Sequence, residues 1–218
     1  GYSGSALMRT PDHALTLIEA VVKAVKIPVT LKTRLGWDDG LLNAPEIARR
    51  AEAAGISMIT IHGRTRCQFY KGRANWEAIA TVKQAVSIPV IANGDIISGA
   101  TARQALKASG ADGVMIGRGA QGKPWLLAQV ANILYGTSAP VVPTGPAFAD
   151  MVREHYAEMI HFYGKALGLR VARKHLGWFM DTCATPADLR KAVLTASDVA
   201  QTDALLAEAC LLQGRVAA

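Results

Sequence analysis

The chain has 218 residues, half of them apolar, with 24 Lys and Arg against 17 Asp and Glu, a formal net charge of +7. That length and apolar content suit a globular protein of one large or two small domains, with no apolar run near the ~18 residues of a membrane span and no basic-then-apolar secretory signal at the start. Three cysteines, Cys67, Cys183 and Cys210, lack metal-ligand or disulfide-framework spacing, which excludes a zinc module and fits a reducing cytoplasm.

In chain order, residues 12–26 read as a helix capped by Asp12, with Leu15, Ile18, Val22 and Val25 on one face. Pro28 ends that turn and Val29–Lys32 is a buried strand. A second helix is expected over Pro45–Ala54, with Asn43 or Ala44 at its cap and Gly55 as its stop. Strand Met58–Ile61 follows and finishes in His62-Gly63-Arg64. A third helix spans Trp76–Val86, a third strand Pro89–Ala92, a fourth helix Gly99–Ala108 stopped by Gly110, and a fourth strand Gly113–Ile116. This alternation, at ~25–30 residues per unit, predicts parallel βα units.

After Tyr135 the pattern changes. Pro140, Pro143, Gly145 and Pro146 mark a linker, and residues 147–164, 168–181, 186–197 and 202–213 carry helical periodicity, so a small all-helical bundle is expected with the domain boundary at 143/144. The charge divides there as well. Residues 1–143 hold 16 Lys and Arg against nine Asp and Glu, residues 144–218 eight against eight, although Lys165–Lys174 carries Lys165, Arg170, Arg173 and Lys174 with no acid between them. Either a polyanionic partner or a solvated basic face accounts for this pattern.

Two strand ends carry the chemical signal. Asn93-Gly94-Asp95 and Gly117-Arg118-Gly119 each place glycine where the main chain can turn sharply and bring N–H groups close to an anion, with a following helix start adding partial positive charge. In (β/α)₈ barrels the phosphate site is built from the last two strand-to-helix loops, and Arg118 offers a fork of donors suited to a phosphate monoester. Four strands are half of such a barrel and would leave two sheet edges and an apolar interior open. The fold class expected is therefore α/β, a partial TIM (β/α)₈ barrel of four βα units followed by the helical bundle. The chain is expected to begin partway through its natural domain, and the open edges offer a route to oligomers.

Six blocks are specific enough to name a family: Gly4-Ser5-Ala6-Leu7-Met8, Val29 to Gly36, Ile61 to Arg66, Asn93-Gly94-Asp95-Ile96, Met115 to Ala120, and Arg173-Lys174-His175-Leu176-Gly177-Trp178. Together they closely resemble bacterial tRNA-dihydrouridine synthases of the nitrogen-regulation-like branch. The resemblance implies an FMN-dependent enzyme that reduces uridine to 5,6-dihydrouridine in tRNA with NADPH, built as a TIM barrel followed by a helical tRNA-binding domain. It implies that Lys32 lies along the flavin ring, that His62 sits near flavin and uracil, that Asn93, Gly94 and Asp95 form a flavin-contacting turn, and that Gly117 and Arg118 clamp the phosphate. The family's catalytic cysteine falls in a segment matching a position upstream of Gly1, so no catalytic residue is assigned in this chain.

Each role stands beside a plainer one. His62 would otherwise be a satisfied structural histidine, Asp95 a helix cap, and Trp178 a core residue rather than a base-stacking one. Cys67, near Arg64 and Arg66, is read as an ordinary loop cysteine, and Cys183 and Cys210 as packing residues. Arg34, Arg64 and Arg66 at the barrel mouth and Arg170, Arg173 and Lys174 on one short helical stretch are the candidates for tRNA contact. A small-molecule FMN oxidoreductase of the dihydroorotate-oxidising kind and a non-catalytic RNA-binding fragment are the alternatives.

Overall fold

The computed structural model describes residues 3–211, which form two compact units divided between Gly119 and Ala120. In the first, a 3-10 turn (Gly4–Arg9) and α1 (Pro11–Ala24) lead into β1 (Thr30–Arg34), α2 (Ala44–Ala54), β2 (Met58–His62), α3 (Glu77–Lys83), β3 (Val90–Asn93), α4 (Gly99–Ser109) and β4 (Gly113–Met115). The four strands make one parallel sheet in the order β1-β2-β3-β4.

Alternation along the strands sorts the two faces of this sheet. Ile59, Ile61, Val90 and Ala92 point one way and are fully buried with Ile47 of α2 and with Ile79 and Val82 of α3. Burial of each such aliphatic side chain contributes about 1.5–3 kcal/mol. Residues of the opposite parity, among them Lys32, Thr60, His62 and Asn93, share the other face, and the register aligns Arg34 with His62, His62 with Asn93 and Asn93 with Met115. Polar side chains from successive strands thus end in one row.

Local sequence sets the helix ends. Pro45 opens the first turn of α2 and Gly55 closes it in the left-handed conformation, while Ser98 and Thr101 form a reciprocal capping box on α4. Asp12 does not cap α1, whose N-cap is Thr10; it pairs instead with Arg50 of α2 at 2.6 Å. Asn43 precedes α2 but sends its amide to the Met8 carbonyl at 2.7 Å. Helix α3 is shorter than the Trp76–Val86 expected: Trp76 is its N-cap, its indole donating to the Gly94 carbonyl at 2.8 Å, and the helix ends at Lys83. Helix α1 buries none of its residues; Leu17 and Val21 stay exposed beside an apolar cavity of about 320 Å³ against edge strand β1.

The second unit is helical among the described residues: α5 (Leu126–Tyr135), α6 (Pro146–Met180), α7 (Ala187–Thr195) and α8 (Val199–Ala209). Helix α5 was not expected from the sequence. Its preceding Trp125 packs edge-on against Phe148 of α6, which places this segment in the helical unit ahead of the 143/144 boundary read from the Pro-rich linker. The two helices expected at 147–164 and 168–181 are both present within α6, separated at Gly164, whose backbone (φ 72°, ψ 165°) is not helical. Phe148, Val152, Tyr156, Leu176, Phe179, Val193 and Leu206 form the core, and Arg153 joins α6 to Asp203 of α8 at 2.6 Å. The last helix expected, 202–213, begins earlier, at Val199, and its residues 212 and 213 lie outside the described residues.

The Gly164 backbone occupies a region that side chains strongly disfavour, while a Cβ there would meet nothing within 4 Å. Gly164→Ala is therefore expected to cost about 1–3 kcal/mol through backbone strain alone, read as a lower urea midpoint; an unchanged midpoint would show that the bend relaxes without cost.

Candidate functional site

The row of polar residues at the strand ends opens into a cavity of about 370 Å³ within the first unit. All seven residues expected to hold a cofactor line it: Lys32, His62, Asn93, Gly94, Asp95, Gly117 and Arg118. Each comes from β1, β2, β3, β4 or the turn that follows its strand.

Asn93 is oriented by its amide, which donates to the Met115 carbonyl at 2.8 Å. Gly94, at φ 116°, lets the chain pass the His62 ring; a Cβ there would come within 2.8 Å of His62 Cδ2 and of the Ala74 side chain. Gly119 passes equally close to the Ile96 backbone. Gly117 differs, because its φ is ordinary and a Cβ would meet nothing within 4 Å. Nothing within the protein requires glycine there; its main chain lies open on the cavity wall. The turn after Gly117 is a three-residue 3-10 segment, Arg118–Ala120, and not the helix start expected from the sequence.

Lys32 corrects another expectation. The strand runs two residues further, to Arg34, so Lys32 is at mid-strand and exposed on the cavity face instead of buried at a strand end. Desolvation and, next, the Arg34 charge hold its ammonium below the usual lysine range.

Arg64 and Asp95 depart furthest from the sequence reading. Arg64 is only 2% exposed, and its guanidinium grips both Asp95 oxygens at 2.7 and 2.9 Å and the carbonyls of Lys71 and Gly72 at 3.1 and 2.7 Å. Its fifth donor faces His62 Nε2 at 3.5 Å. No donor is left for an RNA phosphate, so Arg64 organises the loop instead. Asp95 is not a helix cap, which is Ser98; at φ 54° it also accepts from the Ala74 N–H at 2.7 Å. Burial works to raise its pKa, but bonds from Arg64 and Ala74 and the charges of Arg64 and Arg118 outweigh it and hold the carboxyl below its ordinary value.

His62 is surrounded by cations. Burial first, then Arg34, Lys32 and Arg64, with Asp95 opposing, bring its pKa down to about 4. It is a neutral hydrogen-bonding group at neutral pH.

Tyr70 also lines the cavity and was missed by sequence reasoning. The Arg118 guanidinium lies 4.2 Å from its ring centre and that of Arg34 5.5 Å, while Arg66 covers Phe69 at 4.2 Å. The interleaving of Arg64, Arg66, Phe69 and Tyr70 in sequence was the signal available. Arg34 is pinned by donating to the Thr65 and Phe69 carbonyls at 2.9 and 2.8 Å. In the second unit Arg170, Arg173 and Lys174 are exposed together on the C-terminal part of α6, whereas Trp178 is half-buried with its ring 5.0 Å from that of His175. Cys67 is exposed and does not line the cavity. Among the described residues no cluster of metal-ligating side chains occurs, and no helix is long and apolar enough to cross a membrane.

Comparison with known proteins gives a consistent result. A sequence profile described as "Dihydrouridine synthase (Dus)" matches residues 1–213. The chain is 62% identical to a "Probable tRNA-dihydrouridine synthase" of Rhodobacter capsulatus over 96% of its own length and 64% of that protein's. It is 54% identical to a protein of the same name from Rhizobium leguminosarum, over 100% of this chain and 68% of the relative, and 48% identical to "tRNA-dihydrouridine synthase B" of Xanthomonas campestris, over 88% and 58%. The chain therefore spans about two thirds of the length of the curated relatives it matches.

Two outcomes follow from this geometry. An NMR titration of the His62 ring is expected to show its transition near pH 4. Because the unfolded ring titrates near 6.5, His62 lowers stability progressively as pH falls from about 6.5 to 4, a slope that His62→Gln removes; a transition above pH 6 would contradict the cationic surroundings described. Asp95→Ala strands the buried Arg64 charge and is expected to cost about 3 kcal/mol in chemical denaturation, whereas a near-neutral result would mean that water reaches the guanidinium.

Proposed function

The chain belongs to the dihydrouridine synthase family, and we propose that it carries the flavin site and an RNA-gripping helical unit of an FMN-dependent, NADPH-driven enzyme that reduces uridine to 5,6-dihydrouridine in tRNA. In this reading the first unit is the second half of a (β/α)₈ barrel, and the protein works in the cytoplasm. The observation that supports it is the meeting of Lys32, His62, Asn93, Gly94, Gly117 and Arg118 on one cavity.

The residues fit FMN. The open main chain at Gly117 and the fork of Arg118 suit its phosphate, which needs close N–H approach and a bidentate cation. Lys32, a cation on the same wall, would balance negative charge gathering on the reduced ring. His62, neutral at working pH, offers the flavin or the uracil a hydrogen bond without adding charge. Bound FMN would supply the hydride for the uracil ring, with NADPH as its source. None of the three cysteines here is assigned the proton for uracil C5: Cys67 lies in a loop off the cavity, and Cys183 and Cys210 belong to the helical unit.

A uridine in folded tRNA must leave its stack to reach such a cavity, which gives a separate RNA-holding surface its purpose. Arg170, Arg173 and Lys174 supply that surface through phosphate contacts. Within the first unit, Arg34, held by the Thr65 and Phe69 carbonyls, and Arg66, stacked on Phe69, are further candidates for contact with the RNA backbone.

Titration of the chain with FMN, followed by flavin fluorescence, is expected to show saturable binding that Arg118→Ala and Gly117→Val each weaken by about tenfold or more, roughly one charge-assisted hydrogen bond. Replacing Arg170, Arg173 and Lys174 by alanine should weaken tRNA binding and lower its salt slope by about 2 to 3. Retained tRNA binding without flavin would favour a non-catalytic RNA-binding fragment. Flavin binding with no tRNA affinity would favour a small-molecule oxidoreductase.

A further inference from the structure

Two nucleophilic groups of the helical unit have no part in the reaction above. Cys183 lies in the turn that follows α6, and Cys210 caps the C-terminus of α8. Although 26 residues separate them in sequence, both pack into the same core cluster of the helical unit, and the Thr185–Ala209 hydrogen bond joins the two segments that carry them. We propose that Cys183 and Cys210 are a redox-reactive dithiol, closed to an intramolecular disulfide by hydrogen peroxide or a related hydroperoxide.

The backbone holds the two sulfurs together. The Thr185 hydroxyl donates to the Ala209 carbonyl at 2.6 Å and ties the turn after α6 to the end of α8, one residue from Cys210. The Cys183 N–H bonds to the Met180 carbonyl at 3.1 Å, and the Cys210 N–H to that of Leu206 at 3.2 Å.

The two thiols are chemically unequal. Cys183 is half-buried and open to a small oxidant, whereas Cys210 is fully buried. The Cys183 thiol donates to the Phe179 carbonyl at 3.4 Å, and its sulfur lies 4.0 Å from the Thr182 hydroxyl. The hydrogen bond from Cys210, with a smaller one from Thr182, favours the Cys183 thiolate against its burial. Donating that bond, together with burial, keeps the proton on Cys210. Cys183 is therefore the attacking sulfur and Cys210 the resolving one.

In the first step the Cys183 thiolate attacks the O–O bond of the peroxide, giving a sulfenic acid at Cys183 and hydroxide, which takes up the proton released by Cys183 to become water. The Cys210 sulfur then attacks the Cys183 sulfur and displaces the hydroxyl group, which leaves as water with the Cys210 proton. Two thiols and one peroxide become one disulfide and two waters. The new bond closes a covalent loop from the end of α6 through α7 to the end of α8, which restricts the unfolded chain and stabilises the oxidised protein.

The test uses the full chain with Cys67→Ser, which removes the exposed thiol. After treatment with hydrogen peroxide in native buffer, peptide mapping by mass spectrometry should recover Cys183 and Cys210 in one cross-linked peptide, two hydrogens lighter, reopened by dithiothreitol. The melting temperature should rise on oxidation, and the half-buried substitution Cys183→Ser should abolish both changes. The proposal is overturned if Cys183 proceeds to sulfinic acid while Cys210 remains free, if both thiols stay reduced, or if only disulfides between molecules form.

Discussion

The parallel register of the four strands is the constraint from which the site follows. Side chains alternate with period two, so the pairing that buries Ile59, Ile61, Val90 and Ala92 also commits Lys32, His62 and Asn93 to the opposite face. A slip of one residue would put the aliphatic set on the cavity side and drive a lysine and a histidine into the core. The same burial that holds the sheet together thus fixes where its chemistry stands. The turns after β3 and β4 add only short segments, and Gly94 and Gly119 let these pass tightly against His62 and Ile96.

Electrostatics give the cavity its character. Lys32, Arg34, Arg64 and Arg118 surround or approach it, and Asp95 is the acidic residue on its wall, itself held by Arg64. The arrangement leaves excess positive charge around a neutral His62. Such a concentration of like charge is unfavourable until an anion enters, which ties the wall's composition to the class of ligand it suits. The Arg64–Asp95 pair has a separate role, for it joins the end of β2 to the turn after β3 and holds the 71–74 segment beside them.

Much of this was legible in the sequence because it is local. The βα alternation, Gly55 and Gly110 as helix stops, the break at Gly164 and the strand-end positions of His62, Asn93 and Arg118 all depend on short-range patterns. Contacts between distant residues were not legible. The 31-residue separation of Arg64 from Asp95 hid the fact that each satisfies the other, which left Arg64 looking free for RNA and Asp95 looking like a cap. The bond from the Trp76 indole to the Gly94 carbonyl, which ties the start of α3 to the turn after β3, is announced by no helical periodicity. The assignment of α5 to the helical unit rested on Trp125 meeting Phe148, a packing fact rather than a linker signal.

The central claim is that one ligand meets Lys32, His62, Asn93 and Arg118 together. Chemical-shift mapping of the isotope-labelled chain during addition of FMN tests it most directly. The account predicts that the amides of Gly94, Gly117 and Arg118 and the ring of His62 shift along one common saturation curve while the residues of α6 to α8 stay in place. Shifts confined to another surface, or separate curves for the β3 and β4 turns, would contradict it.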